Sequence, residues 1–125
     1  MWMVRVRYTM SDLESIDVKF ERDGVTFHAN LIKLENSVLI LFYEDKSKLG
    51  TVALAMLGML EEKAGRSSVL FGGKYLLASR ALAERAAASF GRLAIVSLNT
   101  SIEESEALRI YAKLLDDLKK AQPTA

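Results

Sequence analysis

The side chains able to do chemistry are few. His28 is the one histidine, and cysteine is absent. Disulfides, thiolate nucleophiles, thiolate zinc sites and iron–sulfur clusters are therefore excluded, as is a multi-histidine metal site within one chain. Ser11, Ser15, Ser37, Ser47, Ser67 and Ser68 fall in turns or loops, and none sits in a nucleophile elbow. His28 shares a predicted strand face with Thr26 and Asn30, where a surface or hydrogen-bonded histidine is the plainer reading. Glu61-Glu62 reads as a solvated loop, and Glu103-Glu104 as the acidic start of a helix. Neither pair makes a convincing acid–base dyad. Gly72-Gly73-Lys74 precedes a helix, where backbone amides and a lysine can hold an anion. It lacks the spacing and the Lys-Ser/Thr ending of a P-loop, and a strand-to-helix turn that needs glycine geometry is the plainer reading. No catalytic, cofactor-binding or metal-ligating residue is assigned. The expectation is a protein that is not an enzyme and uses no cofactor.

Charge is balanced, with seventeen basic residues against sixteen acidic. Net charge thus makes no case for nucleic acid or a membrane surface. The balance hides one basic stretch: Lys63, Arg66, Lys74, Arg80, Arg85 and Arg92 face Glu84 alone. Such a stretch can steer an acidic partner or form an ordinary solvated helix face. The longest apolar run, near Val52 to Leu60, is too short to span a bilayer, and no secretory signal is visible. A cytoplasmic location is expected. Few Asn and Gln residues, no cysteine and many charges would suit a thermophile. Met3, Met10, Met56 and Met59 are expected to fill core gaps.

The elements that must position these residues follow from period and turn chemistry. Met3 to Tyr8 and Ile16 to Glu21 alternate apolar with polar, as half-buried strands do. Asp23-Gly24 is a strong hairpin signal, because a type I′ turn needs positive φ at both central positions. Val25 to Leu31 alternates again, Glu35-Asn36 turns, and Val38 to Tyr43 is apolar on both faces. Gly50 to Leu60 admits either a helix or a strand. Glu61 to Ser68 reads as a loop, and Val69-Leu70-Phe71 as a short apolar run. A helix is predicted from about Tyr75 to Phe90, with Tyr75, Ala78, Leu82, Ala86 and Ser89 on one face and Gly91 as its stop. Leu93 to Leu98 is another strand apolar on both faces. Ser101 and Glu104 have the spacing of a capping box for a last helix, whose buried stripe is Leu108, Tyr111, Leu115 and Leu118.

The chain of 125 residues is long enough for one domain, assigned to residues 1–120, with 121–125 as a frayed tail. The fold class is α+β: a mostly antiparallel sheet of about six strands with two main helices packed on it. Two helices cover one face of such a sheet. Strands apolar on both faces then require a second cover, either a partner subunit or a helix at Thr51 to Glu62. A dimer is the favoured answer. Leu39, Leu41 and Tyr43 share one strand face and Val38, Ile40 and Phe42 the other, so one set meets the helices and the other the partner. A slip of one residue exchanges the sets.

The order of the pieces resembles a known family. Phe27-His28 leads to Leu34-Glu35-Asn36-Ser37 and the strand Val38 to Tyr43, then to Leu49-Gly50-Thr51-Val52-Ala53-Leu54-Ala55-Met56. Ser67-Ser68-Val69-Leu70-Phe71-Gly72, Leu82-Ala83-Glu84-Arg85-Ala86 and Leu93-Ala94-Ile95-Val96-Ser97-Leu98-Asn99 follow, and then the closing helix. From about Phe27 to Leu118 this is similar to the small proteasome assembly chaperones of the third and fourth types, the fourth most closely, with a prokaryotic homologue left open. The spacer Leu57 to Arg66 looks more helical than the family pattern. The resemblance implies a strand at Thr51 to Met56 and a non-enzymatic chaperone. That chaperone would form a homodimer, or a heterodimer with a related chaperone, and bind a proteasome α-type subunit to promote α-ring assembly. The candidate partner-binding residues are Leu39, Leu41, Tyr43, Lys74, Arg80 and Arg85. Two other readings stand beside it. One is a roadblock-like or profilin-like scaffold or regulatory module, which a helix at Thr51 to Glu62 would favour. The other is a phosphate or nucleotide binder at the glycine turn before the 75–90 helix.

Overall fold

The computed structural model describes residues 2–8, 14–57 and 66–122. Seven strands form one sheet: β1 (Trp2–Tyr8), β2 (Glu14–Arg22), β3 (Val25–Lys33), β4 (Ser37–Glu44), β5 (Thr51–Met56), β6 (Arg66–Phe71) and β7 (Leu93–Asn99). Helix α1 (Leu76–Phe90) lies between β6 and β7, and α2 (Glu104–Ala121) closes the chain. The strand order is β1-β2-β3-β4-β7-β5-β6. Every neighbouring pair is antiparallel except β4 with β7. The α+β class and the two-helix layer are as expected, and the strand count is seven.

Local chemistry explains the first half. Asp23 and Gly24 both have positive φ (53° and 79°), so the β2–β3 hairpin turns as an Asp-Gly pair permits. The β2–β3–β4 meander is then in register, with Val18 opposite Ala29 and Ala29 opposite Phe42. The ambiguous segment resolves as strand β5, paired to β7 and β6. Ala53 and Ala55 are fully buried, so their small side chains let α1 approach closely. Helix propensity in this stretch loses to two ladders of hydrogen bonds and to burial. Arg66 to Ser68, expected in a loop, opens β6, because the β5 edge supplies a partner that the polar composition did not reveal. Residues 61–65 lie outside the described residues, as do Met10, Met59 and the last three residues of the expected tail.

Both helices lie on one face of the sheet, α1 over β5, β7 and β6, and α2 over β2 and β3. Ile16, Val18, Phe27, Ala29, Leu31, Val38, Ile40, Phe42, Val96 and Leu98 meet Leu82, Ala86, Tyr111, Leu114, Leu115 and Leu118 in a single core. Tyr111 stands edge-on to Phe27 and Phe42, with ring centroids 5.9 and 5.4 Å away. Burial pushes its hydroxyl well above the usual tyrosine range.

The expected capping box does not form. Glu103 is the N-cap of α2 and makes no side-chain cap bond. The Ser101 hydroxyl and amide donate to Glu44 at the end of β4. The Glu104 carboxylate accepts a 2.8 Å bond from the Ala78 amide and so caps α1 instead of its own helix. Where α1 and α2 pack side by side, an orphan donor of one helix outcompetes the local motif.

Candidate interaction surface

The other face of the sheet carries no described element. Its composition follows from register. Ile32 lies opposite Leu39, Leu39 beside Ile95, and Ile95 opposite Leu54, giving an apolar row across four strands. The next row runs Asp17, Asn30, Leu41, Ser97, Val52 and Phe71. Ile32, Leu39, Leu41, Val52, Leu54 and Ile95 are all half-buried. Val38, Ile40 and Phe42 are fully buried beneath the helices. The register thus places the Leu39, Leu41 and Tyr43 set on the helix-free face.

A polar strip borders the apolar rows. Asn30 donates a 2.6 Å bond to Asp17, and the Tyr43 hydroxyl donates a 2.6 Å bond to Asn30. His28 stacks on Tyr43 with centroids 4.7 Å apart. Partial burial, and then the nearby Lys19, hold the His28 imidazole below its ordinary pKa. His28 is therefore a packed strand residue, with Lys19, Asp17 and Asp45 as charged groups acting on its imidazole. Tyr43 is only 8% exposed and offers a partner little area.

The basic candidates lie elsewhere. Arg80, on α1, donates to the Ser67 hydroxyl, which itself donates to Glu84. Arg85 pairs with Asp116 of α2 at 3.3 Å. Both stand on the helix layer, so the sheet separates them from Leu39 and Leu41. Lys74 sits in the turn before α1, in a cleft considered below. The six candidates thus form two groups, one on each side of the sheet, and Lys74 at its margin.

Several surface residues were not singled out from the sequence. Ile95 was legible, because its strand reads as apolar on both faces. Val52 and Leu54 were hidden by the helix-or-strand ambiguity of their segment. Leu70 and Phe71 are exposed on the edge strand β6, where a register irregularity between Val52 and Ala53 changes the alternation. Met56, expected in the core, is exposed at the last position of β5, opposite Arg66 at the other end of β6. Among the described residues, the large apolar side chains that stay exposed all lie between Leu49 and Leu77.

The helix N-terminus after the glycine turn is a poor phosphate site, because the Glu104 carboxylate already occupies the Ala78 amide. No described helix is long and apolar enough to cross a membrane.

These features define a class: a two-layer α+β domain with its helices on one sheet face and apolar rows on the other. No family model and no curated protein matches the sequence. In fold the chain is similar to one in a solved structure described as a novel chaperone complex for yeast 20S proteasome assembly. The likeness has a TM-score of 0.56 at 18% identity and covers 95% of this chain and 96% of that one.

Proposed function

We propose that this protein is a non-catalytic assembly chaperone that dimerises and binds an α-type subunit of the proteasome core particle, promoting α-ring assembly in the cytoplasm. The observation that carries the reading is the helix-free sheet face, where six half-buried apolar side chains form a continuous patch. Monomeric soluble proteins rarely leave such a patch on a flat sheet without a partner. Fold likeness along nearly the whole chain to a component of a proteasome assembly complex supports the same reading. So does the strand at Thr51–Met56, since a helix there would have favoured a roadblock-like or profilin-like module. Leu39 and Leu41 belong to the dimer face in this reading. Lys74, Arg80 and Arg85 are left to face the α-type subunit, whose acidic groups they would attract.

The test is a pull-down with the folded, tagged protein against each α-type subunit from the same cell. Retention of one subunit, released by raised salt, is expected. Retention of none, with the bait confirmed as folded, overturns the assignment. Whether the active dimer is homomeric or contains a related chaperone is read from the mass of the native complex.

A further inference from the structure

A cleft of about 300 Å³ opens where the start of β5, the end of β7 and the β6–α1 turn meet. Its floor is tightly held. A Cβ at Gly50 would lie 2.1 Å from the Leu98 carbonyl oxygen, and one at Gly72 would lie 2.7 Å from Thr51 Oγ1. Thr51 Oγ1 donates a 2.5 Å bond to the Lys74 carbonyl, and the Gly50 amide donates a 2.9 Å bond to Ser97 Oγ. The cleft is therefore a preformed feature of the backbone, which lowers the ordering cost of filling it.

Its lining is chemically lopsided. Leu49 and Phe71, at 65% and 63% exposure, form an apolar rim. Among the described residues, Lys74 is the one charged residue in the lining, and no acidic side chain joins it there. The Lys74 ammonium has no acceptor among the described residues. Of the other polar side chains in the lining, the Tyr75 hydroxyl donates to the Ile102 carbonyl, the Thr100 hydroxyl to Glu44, and the Asn99 amide nitrogen makes a long 3.4 Å bond to the Leu49 carbonyl. Glu44 and Glu104 are near enough to act on the Tyr75 hydroxyl, but their carboxylates are already taken up by Thr100, Ser101 and the Ala78 amide.

We propose that this cleft binds a short extended peptide segment that carries a large apolar residue beside a glutamate or aspartate. The apolar side chain rests against Leu49 and Phe71, and the carboxylate pairs with Lys74. One cation and an apolar rim suit this ligand better than phosphate, which is met by several N–H donors or a bidentate arginine. The site does not depend on the sheet-face dimer, so either idea can fail alone.

The experiment titrates the isotope-labelled full chain with three probes while amide resonances are followed. They are the capped peptide acetyl-Gly-Leu-Glu-Leu-Glu-Gly-amide, its twin with Gln for Glu, and inorganic phosphate. The acidic peptide should move the Gly72, Gly73 and Lys74 amides, and the twin should bind about three- to fivefold more weakly, the scale of one exposed ion pair. Lys74→Gln should bring the acidic peptide down to the twin's affinity with an unchanged melting temperature, because Lys74 is exposed. Phe71→Ser should weaken both peptides. Equal binding of the two peptides, no movement of these amides at millimolar peptide, or stronger shifts with phosphate would each overturn the proposal.

Discussion

A carboxylate placed on the helix-free face separates dimerisation from folding. Leu39 lies between Ile32 and Ile95 at the middle of the apolar row, and Leu41 lies one row over. Both are half-buried in the single chain, so Leu39→Glu leaves its carboxylate beside water. It should lower the stability of the protomer by only about 1 kcal/mol. In a dimer built on this face, each copy loses the remaining leucine burial, about 1 kcal/mol. Each also desolvates a carboxylate, for which the cost of a neutral polar group, about 1–3 kcal/mol, is a lower bound. Two-fold symmetry counts the change twice, so the total is about 4–8 kcal/mol, or about 10³- to 10⁶-fold in the dissociation constant. Ile40→Ala is the matched control: Ile40 is fully buried under the helices, and its loss should cost the fold about 2–4 kcal/mol without touching the dimer face. Sedimentation equilibrium from nanomolar to high micromolar protein, with thermal melts of the same samples, reads both effects. A wild type that dimerises beside a folded, monomeric Leu39→Glu is the expected result. A Leu39→Glu protein that dimerises as tightly as wild type would refute the face assignment. A wild type that stays monomeric throughout would refute the dimer.

Three further outcomes follow from the packing. Gly72→Ala should destabilise by about 2 kcal/mol or more, because φ is +105° and a Cβ would press on Thr51, while Gly73→Ala, with nothing within 4 Å of its Cβ, should stay within about 0.5 kcal/mol in urea unfolding. Glu104→Ala should cost about 1 kcal/mol through the lost α1 cap, and its effect should add to that of Ser101→Ala; a strong coupling between the two would restore the local capping box. The His28 pKa lies below 6.5 in the fold, so the unfolded chain binds the proton more readily, and stability held above that value falls as pH drops through the lowered folded pKa. His28→Asn should flatten this part of the melting-temperature profile, and an unchanged slope would locate the acid sensitivity in other groups.

Much of the fold was legible in the residues. The β2–β3–β4 meander could be read because Asp23-Gly24 permits one tight turn and the flanking alternation fixes one register. The amphipathic stripe of α2 could be read for a similar reason, since Tyr111, Leu115 and Leu118 recur at helical spacing. Thr51–Met56 could not, because short alanine- and leucine-rich runs carry both periods and only a neighbouring strand decides between them. The Ser101–Glu104 box was misleading: the motif is local, whereas the Ala78 amide that takes Glu104 is 26 residues away.

The sequence by itself determined that the chain has no thiol chemistry, no multi-histidine metal site, and more doubly apolar strand than two helices can cover. Those are properties of composition and period, and they hold in any fold. Only the tertiary structure decided which strand face the two described helices leave uncovered, because a one-residue change of register moves every side chain to the opposite face. It also decided that Lys74, without an acceptor among the described residues, stands over an apolar-rimmed cleft, since the cleft exists only where Gly50 and Gly72, distant in the chain, let three backbone segments close on one another.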